Sequence, residues 1–371
     1  MNLLSVAPNS GASASKANES VRMISLPKVK IGLVGLNFGF HIIDEIQRKP
    51  ACDLFEIAAL CDQDIGRLNA AAAKADVTRY EHLEDLLADP EIEAVGLFTH
   101  PAGRIKLMRQ ILRSGRDIIT TKPLGLDPDG MLELLSEARR LGRSVHCNSP
   151  GPLRSSELAV IESWMQKYDL GCPVGARADV WTSYREAQDG TWYDDPKMCP
   201  AAPIYRLGIY LINDLVRLWG RVQKVQVMHS RFFTGRPTTD NAQVALLFEN
   251  RAVANIYASF CVNDGDHYRN SLVLNFENGT IYRNAGPAWT LAPGVRSRLA
   301  LVQSCTMGPS VVAEAFEPIQ SGDYQWEYFA EAVRGSRVVE ELTPDQMVEG
   351  IRIMKAISEA ERGEGAAVVS R

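Results

Sequence analysis

An apolar, strand-like run that ends in glycines, residues 29–41 with the sequence VKIGLVGLNFGFH, constrains the fold of this chain more than any other feature. The run breaks at Gly35 and Gly39, where a buried strand is expected to turn into a helix whose first amides can face a pyrophosphate. Against a G-x-G-x-x-G motif, Asn37 stands at the second glycine and Phe40 at the third. Asparagine tolerates left-handed backbone, so the turn is expected to survive. By itself the run also fits any buried strand followed by a glycine turn.

Apolar runs and amphipathic stretches alternate along residues 28–149. The strand-like runs cover 29–35, 54–61, 94–99, 117–121 and 144–148, and helices are predicted from Gly39, over 70–75, over 103–114 and from Pro128, with Asp127 as its N-cap and Gly142 as its stop. Strands that alternate with helices at this spacing predict a doubly wound parallel sheet of the α/β Rossmann type. Residues 28–149 are therefore predicted to form a dinucleotide-binding domain.

The texture of the sequence changes after Pro150. Strand-like runs follow one another over 224–233, 242–249, 252–260 and 271–283, and helices are predicted over 155–170, 205–219, 324–333 and 345–362, the last with Thr343 as N-cap and Pro344 at its first position. Consecutive strands joined by short turns predict an α+β domain with a large, mostly antiparallel open sheet over 150–371. Residues 1–27, rich in Ser, Ala and Asn, are predicted to be a flexible tail.

Composition excludes several classes of function. The chain has 371 residues, 46% of them hydrophobic, and a formal net charge of −5 without a densely basic window, which disfavours a nucleic-acid partner. No apolar stretch approaches the roughly 18 residues that span a bilayer. The first residues lack the positive segment and the sustained apolar core of an export signal, so secretion is not expected. Seven scattered cysteines without a C-x-x-C spacing disfavour a disulfide framework and structural zinc, so a cytoplasmic protein without a metal site is predicted.

An acidic residue ends the second predicted strand, in the run LFEIAALCD. In a dinucleotide fold an acid at this position accepts hydrogen bonds from the adenosine ribose and disfavours a 2′-phosphate, so Asp62 predicts NAD. Arg67 leaves room for NADP. The alternative is that Asp62 is a surface residue that starts a turn before the next helix.

The run DIITTKPLG places Thr121, Lys122 and Pro123 just past the fifth strand, at the carboxyl edge where such sheets bind ligands. A lysine here can approach both a nicotinamide and a substrate. The peptide before Pro123 is a candidate for the cis form, which would fix the angle at which Lys122 enters the cleft. Considered alone, Lys122 also fits a solvated surface charge.

These motifs together resemble the glucose-fructose oxidoreductase, inositol dehydrogenase and rhizopine catabolism family of sugar oxidoreductases. The resemblance runs from about Val29 to the C-terminus and is carried by IGLVGLNFG, the CD after the second strand, THPAGRI, LRSGRDIITTKPLG, WYDDP, YRLGIYLINDL and LTPDQMVEGIRIMKAI. It implies a Rossmann domain joined to an α/β domain whose open sheet packs against another subunit. A homodimer or homotetramer that acts on a small carbohydrate-like substrate is therefore expected.

The family usually carries Asp-x-Gly-x-His on a helix of the second domain, and here the matching run is Arg206-Leu207-Gly208-Ile209-Tyr210. Some sugar-active relatives have tyrosine at the histidine position. The resemblance then implies Tyr210 as the acid or base, its pKa lowered by the nearby Lys122, which would polarise the oxygen. Arg206 can bind a carboxylate or phosphate but cannot act as a base, which indicates an altered substrate or lost redox activity.

Further site residues follow from position and from the resemblance. The predicted cofactor contacts are Gly35, Asn37, Phe38, Gly39, Asp62, Thr99, His100, Arg104, Thr121, Lys122 and Pro123, and the predicted substrate contacts are Lys122, Trp192, Arg206, Tyr210, Asn213 and Asp214. For several of these, purely structural roles stay open. Tyr210 could belong to an aromatic core stripe, and His100 could be solvated. Trp192 and the two carboxylates after Tyr193 could bind a sugar or anchor a loop.

Two functions from different classes follow from this pattern. The leading hypothesis is an NAD-dependent, or NADP-dependent, oxidoreductase that acts on a secondary alcohol or ketone of a sugar, cyclitol or sugar derivative. The competing hypothesis is a dinucleotide-binding homologue without net dehydrogenase turnover, either a regulatory protein or one whose tightly bound NAD supports a redox-neutral elimination.

Overall fold

The computed structural model describes residues 26–265, 268–287, 291–336, 341–363 and 366–370. Residues 1–25, which make up most of the predicted tail, lie outside these ranges. Within the described part of the chain, a six-stranded parallel sheet is followed by a nine-stranded, mostly antiparallel sheet. The predicted fold class, a Rossmann domain joined to an α+β domain, is thereby confirmed.

The first sheet has the strand order β3-β2-β1-β4-β5-β6, and all of its paired strands are parallel. Its elements are β1 (Val29–Val34), α1 (Leu36–Ile46), α2 (Ala51–Leu54), β2 (Phe55–Cys61), α3 (Ile65–Ala72), β3 (Thr78–Tyr80), α4 (Leu83–Ala88), β4 (Ala94–Leu97), α5 (Arg104–Arg113), β5 (Asp117–Thr120), α6 (Pro128–Arg140) and β6 (Val145–Cys147). The strand order reverses between β1 and β4, and such a reversal opens a crevice at the carboxyl ends of the strands.

Local capping chemistry explains where these helices begin. Gly35, with φ of +86°, ends β1, and α1 starts at the next residue, three residues earlier than predicted. α3 starts at Ile65 rather than at residue 70, because the Asp64 side chain accepts a hydrogen bond from the Arg67 amide at 3.0 Å and so caps the helix. α6 starts at Pro128 behind Asp127, as predicted.

The second sheet has the order β14-β13-β12-β11-β7-β10-β9-β8-β15. Its elements are α7 (Ser156–Lys167), β7 (Pro173–Trp181), α8 (Ile209–Trp219), β8 (Val222–Ser230), β9 (Asn241–Phe248), β10 (Val253–Ser259), β11 (Arg269–Phe276), β12 (Gly279–Arg283), β13 (Ser297–Cys305), β14 (Gly308–Glu317), α9 (Trp326–Val333), α10 (Pro344–Arg362) and β15 (Ala366–Val368). β7 and β10 pair in parallel, and the other paired strands are antiparallel. One face of the sheet shares a core with α7, α8 and α10, whereas alternate residues such as Val253 are exposed on the other face.

The last two helices return to the first domain. Phe55 of β2 stacks on Phe329 of α9 with 5.7 Å between ring centroids and meets Trp326 edge to edge at 5.4 Å. Residues from the start of α10, including Val348 and Ile351, share a core with β4, β5 and α6. The first sheet ends at Cys147 and the second begins at Pro173, and the packing couples the two regions through their helices. A domain boundary at residues 149 and 150 stays a prediction.

Candidate functional site

The close approach of β1 to β4 defines the floor of the crevice. A Cβ built on Gly35 would lie 2.8 Å from the Thr99 amide nitrogen and 2.9 Å from the Phe98 carbonyl carbon. Both distances are shorter than real Cβ contacts, and the left-handed φ adds strain for any side chain. Only glycine therefore fits at Gly35, and this places the first turn of α1 beside the residues that follow β4.

The first turn of α1 can hold an anion, although not through the turn predicted from the sequence. Asn37 is helical rather than left-handed, because the helix has already begun at Leu36. The Gly39 amide donates to the Gly35 carbonyl at 3.2 Å, so Gly39 contributes no free donor. The Asn37 and Phe38 amides lie in the helix turn where no intrahelical acceptor exists, which leaves them aimed out of the helix end.

Asp62 reaches the same helix end from β2. Its carboxylate accepts from the Leu36 amide at 2.7 Å, from the Asp64 amide at 2.8 Å and from the Arg67 guanidinium at 3.1 Å. Burial by itself would raise the pKa of Asp62, but the hydrogen bonds from Arg67 and the two amides outweigh it and lower the pKa. Asp62 is thus a buried, ionised acceptor beside the end of α1, which is where the predicted ribose contact requires it.

Two polar atoms after β4 have no hydrogen-bond partner among the described residues. They are Thr99 Oγ1 and His100 Nε2, both buried. The other ring nitrogen of His100 accepts from the Ala102 amide at 3.0 Å, and its ring meets the Trp192 ring edge-on at 5.5 Å between centroids. Burial lowers the pKa of His100, so the ring is neutral. Orphaned polar atoms at the switch point of the sheet fit a site that a dinucleotide completes.

Arg104 contributes to the site from behind rather than as a ligand contact. Its guanidinium is buried and donates to the carbonyl oxygens of Thr121 at 2.8 Å, of Pro123 at 2.5 Å and of Thr99. Burial lowers its pKa to about 10. Because these bonds use both terminal nitrogens, the predicted contact of Arg104 with the cofactor is not what the structure shows. The side chain instead fixes the loops that follow β4 and β5.

Lys122 crosses from the first domain to the second. The Lys122–Pro123 peptide is cis, as the sequence suggested, and the Lys122 amine donates to the Arg206 carbonyl. Burial of the amine, followed by the nearby charge of Arg206, lowers the pKa of Lys122 to about 7. Its backbone amide donates to Asn148 Oδ1 at 2.9 Å, and the Thr121 hydroxyl lies 3.4 Å from the same oxygen. Lys122 is therefore a held amine that can exchange a proton near neutral pH.

Tyr210 faces Lys122 from the start of α8. The Lys122 nitrogen lies 5.0 Å from the centroid of the Tyr210 ring, and the phenol oxygen is 3.4 Å from Asn148 Nδ2. Burial raises the pKa of Tyr210 well above its ordinary value, so the prediction of a lowered pKa is wrong in direction. After burial, the nearby phenols of Tyr268 and Tyr324 also raise this pKa, whereas the Lys122 amine lies over the ring face and donates to the Arg206 carbonyl.

Arg206 lies in a π-helical turn, Ile204–Gly208, that leads into α8. Such turns are rare and frequently mark functional sites. The Arg206 guanidinium donates to both carboxylate oxygens of Glu186, at 2.5 and 3.0 Å, and lies 4.0 Å from the ring centroid of Tyr193. The positive end of Arg206 is therefore already occupied by an internal carboxylate. Its proposed contacts with substrate require that pair to open.

The two residues predicted on the next turn of α8 serve structural roles. Asn213 Nδ2 donates to Ser149 Oγ at 2.9 Å, and Asp214 pairs with Arg283 at 2.9 Å. Arg283 also pairs with Glu157 at 2.9 Å, and all three charged side chains are buried. The carboxylate of Asp214 is thus paired inside the second domain, and its contact with a substrate stays a prediction. Asn213 lines a narrow polar cavity next to that ion cluster.

Trp192 remains a candidate for contact with a sugar ring. It is partly exposed, stacks on Tyr193 at 4.4 Å between centroids and borders an open depression that also includes His100. The neighbouring Asp194 pairs with Arg236 at 2.8 Å, and Asp195 accepts from a backbone amide at 2.8 Å. Asp194 and Asp195 therefore anchor the loop through these bonds, whereas the partly exposed ring of Trp192 is available to a ligand.

Sequence reasoning missed Asn148 and Glu186. Asn148 connects Thr121, Lys122 and Tyr210, and it also donates to the Gly322 carbonyl at 3.1 Å. Its position at the end of the predicted strand 144–148 was the available signal, because the carboxyl ends of parallel strands meet at one edge of the sheet. Glu186 lies in an irregular segment and carried no such signal.

Among the described residues, no group of three or more His, Cys, Asp or Glu is arranged to hold a metal ion. No described helix is long and apolar enough to cross a membrane.

Models of one protein family match segments of both domains of this chain. Residues 29–149 match a family model described as "Oxidoreductase family, NAD-binding Rossmann fold", and residues 159–282 match one described as "GFO/IDH/MocA C-terminal domain". Over 118 residues the chain is 28% identical to the inositol 2-dehydrogenase/D-chiro-inositol 3-dehydrogenase of Lactiplantibacillus plantarum. That match covers 31% of this chain and 33% of the relative, so it spans only about a third of that protein's length.

Solved structures extend the likeness to nearly the whole fold. An oxidoreductase from Desulfitobacterium hafniense is similar with a TM-score of 0.76 at 16% identity, over 93% of this chain and 98% of that one. The WlbA dehydrogenase from Bordetella pertussis, solved with NADH and UDP-GlcNAcA, is similar with a TM-score of 0.66 at 16% identity, over 93% and 100% of the two chains. At these identities the likeness establishes the architecture alone.

Proposed function

Because the chain belongs to the GFO/IDH/MocA oxidoreductase family and carries its NAD-binding Rossmann domain, we propose that it is an NAD-dependent oxidoreductase of carbohydrate-like substrates. The reaction is the oxidation of a secondary alcohol, or the reduction of the matching ketone, in a sugar, cyclitol or sugar derivative. The observation that carries the proposal is the meeting of Lys122 and Tyr210, one from each domain, at the carboxyl edge of the first sheet. The inositol dehydrogenase relative is consistent with such a substrate.

The residues at the crevice fit a dinucleotide. Gly35 leaves room for backbone approach, the first amides of α1 suit a pyrophosphate, and Asp62 suits the adenosine ribose. Thr99 Oγ1 and His100 Nε2 offer unpaired polar atoms at the end of β4. When bound, NAD supplies or accepts the hydride, and the protein orients and polarises the substrate. The paired Asp62 and Arg67 favour NAD and leave NADP as the second choice.

The pKa of Lys122 is lowered and that of Tyr210 is raised, so the roles that the sequence suggested for these two residues change. Tyr210 keeps its proton at neutral pH because burial raises its pKa, so it is proposed as a hydrogen-bond donor to the reacting oxygen. Lys122, with its pKa lowered to about 7, is proposed to take the hydroxyl proton during oxidation and to return it during reduction. For this the Lys122 amine exchanges the Arg206 carbonyl for the substrate oxygen. Asn148 accepts from the backbone amide of Lys122 and donates to the phenol oxygen of Tyr210.

The test is steady-state kinetics with a panel of sugars, cyclitols and uronic acids and either NAD or NADP, read as absorbance of the reduced nicotinamide. For Lys122→Met we expect kcat to fall by about 10²- to 10⁴-fold, the usual contribution of a positioned acid or base. Oxidation by the unaltered protein should rise with pH around a midpoint of about 7, as Lys122 loses its proton. Tyr210→Phe should lower kcat without moving that midpoint.

The control for this experiment is Lys106→Met, which removes an exposed lysine of α5 and should leave the kinetics unchanged. An unshifted pH profile in Lys122→Met, with full activity, would refute the assignment of Lys122. Turnover that needs neither Lys122 nor Tyr210 would refute the proposed pair as a whole.

The second candidate function, dinucleotide binding without net turnover, is favoured by one observation. Arg206 replaces the acid that the family usually carries, and its guanidinium is closed on Glu186. Mass spectrometry of nucleotide retained after purification separates the two candidates. Retained NAD with no change in nicotinamide absorbance for any panel member would favour a binding protein or a redox-neutral elimination.

A cytoplasmic location is part of the proposal. All seven cysteines carry free thiols, as a reducing compartment requires.

A further inference from the structure

A resident carboxylate sits between two arginines on the substrate side of the crevice. Glu186 accepts both terminal nitrogens of Arg206, at 2.5 and 3.0 Å, and lies 3.4 Å from the Arg236 guanidinium. The carbonyl of Arg206 also accepts the Lys122 amine. Glu186 is therefore paired with Arg206, and the carbonyl of Arg206 contacts Lys122, the proposed proton acceptor.

Three aromatic rings hold the guanidinium of Arg206 in place. The Arg206 guanidinium lies 4.0 Å from the ring centroid of Tyr193, 4.6 Å from that of Phe260 and 5.1 Å from that of Tyr184. Its side chain is 10% exposed. Aromatic faces hold a guanidinium in one plane and strip it of water, which prepares it for bidentate binding of an anion.

The side chain of Glu186 is more exposed than that of Arg206 and is held less firmly. The Glu186 side chain is 33% exposed and lies in a segment, residues 182–190, that forms neither helix nor strand. The residue before it, Arg185, has a left-handed φ of +45°. Left-handed backbone is unfavourable for a residue with a Cβ. The conformation that docks Glu186 on Arg206 is thus strained, and a competing anion would release it.

The charges show which group is exposed when Glu186 leaves. Arg236 also pairs with Asp189 at 3.2 Å and with Asp194 at 2.8 Å, so it keeps two carboxylates. Glu186 is the carboxylate with which Arg206 pairs in the described part of the chain. Departure of Glu186 therefore uncovers one guanidinium charge in an aromatic surround, and one incoming carboxylate restores the balance.

We propose that the substrate is a sugar acid or related hydroxy acid whose carboxylate displaces Glu186 and binds Arg206 bidentately. This deepens the proposed function and rests on it, because Lys122 donates to the backbone carbonyl of the residue that would bind the carboxylate, and the charge of Arg206 acts on the pKa of Lys122. A planar, singly charged carboxylate matches both the fork and the charge that Glu186 gives up, whereas a phosphate dianion brings additional charge. A neutral sugar offers no replacement for Glu186 and leaves it in place.

The test uses the full-length, NAD-loaded protein and isothermal titration calorimetry with two pairs of probes that differ only in charge. The pairs are D-glucuronate with D-glucuronamide and malonate with malonamide. In Glu186→Gln the internal competitor is weakened, so the carboxylates should bind about tenfold more tightly than to the unaltered protein, while the amides should not. Inorganic phosphate is titrated alongside, and a preference for it over both carboxylates would overturn the choice of anion.

The matched control is Glu137→Gln. Glu137 also joins two arginines, Arg109 at 3.0 Å and Arg113 at 2.7 Å, but on the outer face of α5 and α6. It should leave all four affinities unchanged. Arg206→Gln, checked for folding by its melting temperature, should abolish the preference for carboxylate over amide.

The inference is overturned if Glu186→Gln leaves the ratio of carboxylate to amide affinity unchanged, or if Arg206→Gln retains it. Failure of the proposed function is a different result. Carboxylate binding that depends on Glu186 and Arg206, with no nicotinamide reduction by any substrate, would keep the site and remove the oxidoreductase. Oxidation of neutral sugars that ignores Glu186 would keep the oxidoreductase and remove the site.

Discussion

At the scale of single residues, Gly35 offers a direct test of the dinucleotide crevice. In Gly35→Ala the added Cβ meets the Thr99 amide at 2.8 Å, on a backbone with φ of +86°. Relief of that contact must move the first turn of α1 away from β4. We expect NADH affinity to fall by about tenfold or more, the loss of roughly one hydrogen bond to the cofactor. A fluorescence titration with NADH measures it.

Gly103→Ala is the matched control for this substitution. Gly103 also has a left-handed φ, +74°, but a Cβ added there would meet no neighbouring atom of the described residues within 4 Å. Both variants should lose about 1 kcal/mol or more of stability through backbone strain. Only Gly35→Ala should lose NADH. Equal NADH affinity in the two variants would contradict the placement of the cofactor between β1 and β4.

His146 makes a prediction about stability and pH. The ring is fully buried in β6, burial lowers its pKa to about 3, and its Nε2 accepts from the Gln325 amide at 3.4 Å. A histidine with a folded pKa below its unfolded value of about 6.5 lowers stability once the unfolded chain takes up the proton. The contribution of His146 is therefore complete above pH 6.5 and is lost as the pH falls toward about 3.

The measurement is urea unfolding between pH 7 and pH 4 of the unaltered protein and of His146→Leu. The unaltered protein should lose up to about 1.4 kcal/mol more per pH unit than the variant, the slope of one extra proton bound by the unfolded state. His82→Leu, which removes an exposed histidine, is the control and should follow the unaltered protein. Parallel curves for His146→Leu and the unaltered protein would show that the ring takes up a proton in the fold.

At the scale of elements, α10 depends on the cap that the sequence predicted. The Thr343 hydroxyl accepts from the Gln346 amide at 3.2 Å, and the Gln346 side chain accepts from the Thr343 amide at 2.9 Å. Thr343→Ala should lower the free energy of unfolding by about 1 kcal/mol, the usual value of an N-cap. Chemical unfolding measures it. Thr343→Ser keeps the hydroxyl and should restore most of the loss, and an equal loss in both would remove the cap as the cause.

Elements with local signals were predictable from the sequence. Alternation of strands and helices identified the parallel sheet, and Asp127, Pro128 and Thr343 marked helix starts that the structure contains. Elements defined by distant partners were not. β7 was missed because its pairing with β10 and β11 depends on residues 78 to 103 positions away. The start of α1 was misplaced because the sequence does not show that Asp62 bonds the Leu36 amide.

The residues of the candidate site also differ in whether the sequence could predict them. Lys122 and its cis peptide were predictable, because both follow from one motif at the end of a strand. The direction of the Tyr210 pKa was not, because it depends on burial and on the aim of the Lys122 amine. The chemistry of Arg206 predicts that it binds an anion, and in the structure its guanidinium pairs with an internal carboxylate. Its partner, Glu186, lies 20 residues earlier in an irregular segment and has no pattern.

At the scale of the whole molecule, polar contacts at the crevice and apolar packing behind it both join the two domains. Lys122 spans the crevice by a single hydrogen bond to the second domain, whereas α9 places Trp326 and Phe329 in the core of the first. The buried apolar contacts of α9 and α10 fix the relative position of the two sheets, and the polar contacts of Lys122 and Glu186 can change when ligands bind. The crevice can therefore adjust at Lys122 and Glu186 while its far side stays packed.

The open face of the nine-stranded sheet leads to the last prediction, an oligomer. Val253, Tyr282 and Phe316 are exposed to 52, 37 and 54% and lie on three strands of this sheet. The chain neighbours of Val253 and Tyr282 are buried, and those of Phe316 are partly buried. Apolar side chains on one broad sheet face are typical of an interface between copies. The family resemblance implies the same, so we expect a homodimer or homotetramer of the 41.0 kDa chain.

Light scattering after size exclusion measures the mass. Val253→Asp combined with Phe316→Asp should shift the mass toward one chain, because charge buried against a second copy costs several kcal/mol without a partner. The control pair is Leu141→Asp with Ile65→Asp, two exposed apolar residues of the first domain that lie away from this face. That pair should leave the mass unchanged, since it adds the same charge elsewhere. A single-chain mass for the unaltered protein, or an oligomer that survives both aspartates on the sheet, would contradict the interface.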